Sequence, residues 1–112
     1  MRVAIVGLGL MGGSLGLALA GRAGASVRGY DPDPAARAVA VERGCVEAAE
    51  DDLERACRGA DLVVVCAPVA QLPAAVAATV AAAPAAATVT DIGSTKANVV
   101  RSIEGADRTR FV

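Results

Sequence analysis

The chain has 112 residues, room for one buried core but not for a second folded unit. Hydrophobic residues make up 54% of it and aromatic residues 2%; this argues against disorder and for a core of Ala, Val, Leu and Ile. With 11 basic and 12 acidic residues, a formal charge of -1 and no basic stripe, nucleic acid is not an expected partner. No apolar stretch approaches the ~18 residues of a membrane span. The N-terminus lacks the charged region, apolar run and cleavage site of a signal peptide, so the expected compartment is the cytoplasm.

Strand and helix patterns alternate along the chain. Val3 to Val6 is a short apolar run ending in glycines, as in a buried parallel strand. Gly12 to Arg22 reads as a helix with Leu15, Gly16, Ala18 and Leu19 on packing faces, ended by Gly21 and Gly24. Ser26 to Tyr30 is a second strand. Asp33 as N-cap and Pro34 at the first helical position then start a helix that runs to Arg43 and stops at Gly44. A short strand is expected at Cys45 to Glu47, and a weak helix at Asp51 to Cys57. Asp61 to Cys66 holds four consecutive branched residues, Leu62 to Val65, which implies a strand covered on both faces. Gln71 to Ala83 has Leu72, Val76 and Val80 on one helical face, with Pro84 ending it. Thr88 to Ile92 is a further strand, Thr95 to Ile103 a short helix, and Arg110 to Val112 the opening of one more strand. This order predicts a single α/β domain, a doubly wound parallel sheet with right-handed crossovers.

Gly7, Gly9 and Gly12 form a G-x-G-x-x-G between the first predicted strand and helix, the context this motif requires. Gly7 permits the tight turn, Gly9 lets a pyrophosphate approach the backbone, and Gly12 lets the helix pack close to the strand. The free N–H groups of the helix start would face the phosphates. Leu10 and Met11 belong to the same turn, and Gly13 and Ser14 would extend its small, polar lip. Asp31 ends the second strand 19 residues after Gly12, close to the spacing at which a Rossmann-type fold places an acid on the adenosine ribose. As an alternative, Asp31 is a turn residue within Tyr30 to Pro34. A carboxylate there repels a 2′-phosphate, so NAD is expected over NADP, although Arg28 and Arg37 lie near enough in sequence to reach such a phosphate.

Two later loops also follow strand ends, where α/β sheets bind ligands. Cys66, Ala67, Pro68 and Val69 would form a stiff wall beside the cofactor, or equally an ordinary strand-to-helix turn. Asp91 to Lys96 brings together an acid, Gly93, the hydroxyls of Ser94 and Thr95, and Lys96, the only lysine of the chain. Ser94 or Thr95 could instead simply cap a helix. Cys45, Cys57 and Cys66 are odd in number and widely spaced, which argues against a disulfide framework or zinc; buried thiols in a reducing compartment are expected. No metal site is expected.

Taken together, Gly7 to Leu15, Gly29-Tyr30-Asp31, Val65 to Val69 and Asp91 to Lys96 resemble the prephenate and arogenate dehydrogenases of tyrosine biosynthesis. The resemblance covers essentially the whole chain, and Asp-x-Gly-Ser-x-Lys is its more specific marker. It implies oxidative decarboxylation of a cyclohexadienol, with hydride passing to a nicotinamide. It also implies that Ser94 sits near the nicotinamide and the substrate hydroxyl, with a less defined role for Lys96. The chain departs from the family in having no histidine. The family's catalytic histidine lies in a Gly-Gly-His-Pro segment just past a strand like Arg110 to Val112. A helical C-terminal domain with dimer contacts and a substrate-binding arginine is likewise not in this sequence. The expectation is therefore a cofactor-binding portion that is inactive alone. The alternatives are a stand-alone nucleotide-binding module, or the N-terminal part of a β-hydroxyacid or imine-reductase type dehydrogenase.

Overall fold

In the computed structural model of the chain the described residues are 1–20, 22 and 24–91, with the side chain of Val69 excepted. Among the described residues five segments form strands: β1 (Arg2–Val6), β2 (Ser26–Tyr30), β3 (Ala48–Glu50), β4 (Leu62–Val65) and β5 (Thr88–Asp91). They make one parallel sheet in the order β3-β2-β1-β4-β5. Between them lie α1 (Leu10–Ala20), α2 (Pro34–Glu42), α3 (Leu53–Cys57) and α4 (Leu72–Ala82), the last preceded by a 3-10 turn at Val69–Gln71.

Side chains alternate across a strand, and both faces of this sheet are apolar. Val3, Ile5, Val27 and Val64 form a core with Leu15 and Leu19 of α1 and Ala40 of α2. Ala4, Val6, Val63, Val65 and Val89 form a second core with Cys57 of α3 and with Val76 and Val80 of α4. Among the described residues, helices therefore cover both faces, two on each. The fold is the expected doubly wound, Rossmann-type α/β domain.

Local chemistry sets the element ends. The Asp33 carboxylate accepts from the Ala35 N–H at 3.0 Å, with Pro34 beginning α2. The Asp52 carboxylate accepts from the Arg55 N–H at 3.2 Å, so α3 starts at Leu53 and not at Asp51. Helix α1 starts at Leu10, two residues before the expected Gly12, because the glycine turn passes directly into the helix. Its buried positions are Gly12 and Gly16. Ala18 is exposed, a correction to its expected packing role. A side chain on Gly12 would collide with the Gly7 carbonyl oxygen, and one on Gly16 with that of Cys45; these two glycines let α1 lie close to the backbone beneath it. The third strand lies three residues later than expected. Cys45 and Val46 are buried in the core beneath α1 and α2, and the ladder begins when Ala48 comes opposite Arg28. The expected helix at 95–103 and strand at 110–112 lie outside the described residues.

Candidate nucleotide-binding site

The sheet order reverses between β1 and β4, and the register fixes where the loops emerge. Val6 pairs with Tyr30 on one side and Val65 on the other, and Val65 pairs with Asp91. The carboxyl ends of β1, β2, β4 and β5 thus form one edge, which carries Gly7, Asp31, Cys66 and Asp91. At such a switch point the loops after the two central strands diverge and leave a crevice. Here it is an open cavity of about 610 Å³. Its lining includes Gly7, Gly9, Leu10, Met11, Asp31, Ala67 and Pro68.

Gly7 has φ +101°, the left-handed region that favours glycine. Its N–H donates to the Tyr30 carbonyl at 2.8 Å. A side chain there would meet the Cys66 carbonyl oxygen at 2.9 Å, so the β1 and β4 loops touch at this point. Gly9 differs, since a Cβ on it would meet nothing within 4 Å. Its missing side chain leaves open space at the entrance to α1. The first N–H groups of a helix have no partner four residues back within it; in α1 the Gly13 N–H is already paired with the Gly9 carbonyl at 2.8 Å, and the first turn carries no acidic residue. A phosphate fits this combination of open backbone and helix start. Leu10 and Met11 are exposed, Leu10 at 88%, and form part of the rim. Gly12 is absent from the lining and serves close packing. Gly13 and Ser14 line a second hollow between α1 and α2, together with Gly9 and Leu10 of the turn.

Asp31 is half-buried. One of its carboxylate oxygens accepts from the Leu8 N–H at 2.8 Å and the other from the Asp33 N–H at 2.9 Å. The turn reading of Asp31 is therefore correct, yet it does not exclude the ribose. A carboxylate offers about four acceptor sites, and two remain for hydroxyl donors. Arg37 donates from its guanidinium to the Asp31 carbonyl oxygen at 2.7 Å. Arg28 points elsewhere: it donates to the Arg55 carbonyl at 3.3 Å and lines a hollow with Arg2 and Arg58. Its guanidinium is therefore directed away from Asp31, a correction to the expectation that Arg28 lies near enough to reach a 2′-phosphate there.

Burial pushes the Cys66 thiol up to about 12, with the nearby Asp91 charge adding to the rise, and burial pushes Cys57 up to about 11. Neither is a thiolate at neutral pH, so the crevice holds no activated sulfur nucleophile. Val6, Tyr30, Pro32, Leu53, Gln71 and Ala75 also line the cavity, and sequence reading did not single them out. Gln71 carried a signal, as a polar residue just before a helix that follows a strand's carboxyl end. Gly93, Ser94 and Lys96, and the Val69 side chain, lie outside the described residues.

The switch-point cavity, the glycine turn and the acid at the end of β2 define a nucleotide-binding Rossmann domain. Residues 15–112 match the family described as prephenate dehydrogenase, nucleotide-binding domain, and the chain belongs to that family. The match begins after the glycine motif, so it does not depend on a segment that many dehydrogenases share. The chain is 32% identical over 103 residues to a cyclohexadienyl dehydrogenase of Zymomonas mobilis, covering 91% of this chain and 35% of that protein. Among solved structures it resembles Synechocystis arogenate dehydrogenase with a TM-score of 0.75 and 27% identity, over 96% of this chain and 38% of that one. It also resembles prephenate dehydrogenase from A. aeolicus, solved with hydroxyphenyl propionate and NAD+, with a TM-score of 0.73 and 30% identity, over 99% of this chain and 40% of that one. The chain thus spans between 35% and 40% of the length of these relatives.

Proposed function

We propose that this chain binds NAD and is the cofactor-binding part of an oxidoreductase that converts prephenate or arogenate in the cytoplasm. The observation that carries this reading is the switch-point cavity, lined by both Asp31 and Gly9, with open space at the Gly9 backbone. In this reading Gly7, Gly9, Leu10 and Met11 cradle the pyrophosphate, while Gly12 holds α1 in place to do so. Asp31 accepts from the adenosine ribose and repels a 2′-phosphate, which disfavours NADP. Ala67, Pro68, Val69 and Gly93 wall the nicotinamide side. NAD supplies a hydride acceptor when bound.

The residues of the chain bind and orient, and the substrate proton is removed elsewhere. Ser94 is proposed to approach the substrate hydroxyl, with Lys96 nearby. The base and the cation for the substrate carboxylate are proposed to come from a helical C-terminal domain, which also carries the dimer contacts. Proton removal needs a base within hydrogen-bond reach, and the 112 residues contain no histidine. The test mixes the purified chain with NAD and either prephenate or arogenate and follows NADH absorbance. The expected result is cofactor binding without sustained NADH formation. Turnover near that of an intact enzyme would show that the catalytic groups have been assigned to the wrong part.

A further inference from the structure

We infer that Gly29 and Leu8 are positioning residues that hold the Asp31 carboxylate against the glycine turn and so set the strength of dinucleotide binding. The inference rests on the NAD reading above and deepens it. Gly29 lies on β2, and Asp31 follows two residues later, just past the strand's end at Tyr30. The Leu8 side chain lies over Gly29. A Cβ at Gly29 would sit 2.6 Å from Leu8 Cδ2, 3.0 Å from Leu8 Cδ1 and 3.1 Å from Val46 Cγ1. Leu8 is 6% exposed and belongs to the core with Ile5, Val27 and Val46, so it has little room to move aside.

The backbone of the same residue makes the functional contact, since the Leu8 N–H donates to Asp31 at 2.8 Å. One residue earlier, the Gly7 N–H donates to the Tyr30 carbonyl at 2.8 Å. The turn is therefore pinned to the end of β2 by two backbone donors, and the Leu8 side chain fits the space that Gly29 leaves. A methyl group on Gly29 pushes Leu8 outward. That lengthens the bond to Asp31 and moves the turn relative to the carboxylate. The Leu8 side chain and its N–H together then fix the distance between the proposed phosphate and ribose contacts.

The experiment is calorimetric titration of the chain with NAD, using the unaltered protein, Gly29→Ala, Leu8→Ala, the Leu8→Ala/Gly29→Ala pair, and Asp31→Ala with and without Gly29→Ala. Circular dichroism monitors folding. Gly29→Ala is expected to weaken NAD about tenfold, the size of one lost charge-assisted hydrogen bond. The Leu8→Ala/Gly29→Ala pair is expected to bind more tightly than Gly29→Ala alone, because the new methyl occupies space that Leu8 has vacated. In the Asp31→Ala background, Gly29→Ala is expected to cost less than about threefold, a non-additivity that a general structural defect would not produce. If Gly29→Ala does not fold, the pair is expected to fold and to bind within about threefold of Leu8→Ala; a pair that neither folds nor binds overturns the inference. Unchanged binding by Gly29→Ala, or a full additional loss in the Asp31→Ala background, also overturns it. Absence of NAD binding by the unaltered chain would instead refute the proposed function.

Discussion

Gly9→Ala should separate binding from folding. A Cβ at this position meets no atom of the protein within 4 Å, and Gly9 is not among the glycines with positive φ. Alanine can therefore take the native backbone without strain or collision. Substitutions free of such mechanisms usually change stability by no more than ~0.5 kcal/mol, which for a domain of this size shifts the melting temperature by only about 3 °C. The methyl group instead enters open space beside the turn, where Gly9 lines the cavity and where the proposed pyrophosphate comes close to the backbone. Forcing an extra carbon into a filled contact costs about 1–3 kcal/mol, a roughly fivefold to hundredfold loss of affinity at ~1.4 kcal/mol per decade. Thermal denaturation and calorimetry with NAD on the same protein preparation read the two quantities separately. A melting temperature close to that of the unaltered chain, with NAD weakened about fivefold or more, is expected. Unchanged NAD affinity would refute the placement of the pyrophosphate, and a large fall in melting temperature would refute the reading of Gly9 as structurally free.

Gly12→Ala should behave in the opposite way. Its Cβ would collide with the Gly7 carbonyl oxygen and approach Ile5 Cγ2 at 3.2 Å, and a backbone atom cannot rotate aside. A stability loss of about 3 kcal/mol is expected from urea denaturation, and a midpoint equal to that of the unaltered chain would show that α1 does not pack as described. The thiols of Cys66, half-buried, and Cys57, buried, predict a pH dependence. The ordinary thiol pKa of 9.0 rises to about 12 for Cys66 and about 11 for Cys57 in the folded chain. The unfolded state therefore releases these protons first, and the contribution is intact below pH 9.0 and lost as pH climbs toward 12. The urea midpoint should fall between pH 8 and about pH 10.5, and Cys66→Ala should reduce the fall; an identical fall in that variant would contradict the assignment.

The sheet and the site edge were legible in the sequence because their signals are local. Leu62 to Val65 is apolar on both strand faces, and β4 is buried from both sides. Asp33-Pro34 is a cap followed by a helix start, and α2 begins there. Gly7, Gly9 and Asp31 come together because the β1 and β2 ends are in register. What stayed hidden depends on tertiary packing. Cys45 and Val46 look like strand residues, yet the space under α1 and α2 takes them into the core and delays β3. Ala18 has no polar group to mark it as exposed. Arg28 sits three residues before Asp31, but strand alternation and the Arg55 carbonyl direct it away. Leu53 and Ala75 reach the cavity from α3 and α4, which only the folded arrangement brings to the same crevice.

The measurement that bears most directly on the central claim is calorimetric titration of the chain with NAD and with NADP in one buffer, repeated for Asp31→Ala. The Asp31 carboxylate retains acceptor sites beyond those used by the Leu8 and Asp33 N–H groups, and its charge opposes a 2′-phosphate. NAD is therefore expected to bind more tightly than NADP, and Asp31→Ala to weaken NAD and narrow the difference. NADP binding as tightly as NAD, or more tightly, to the unaltered chain would contradict the account.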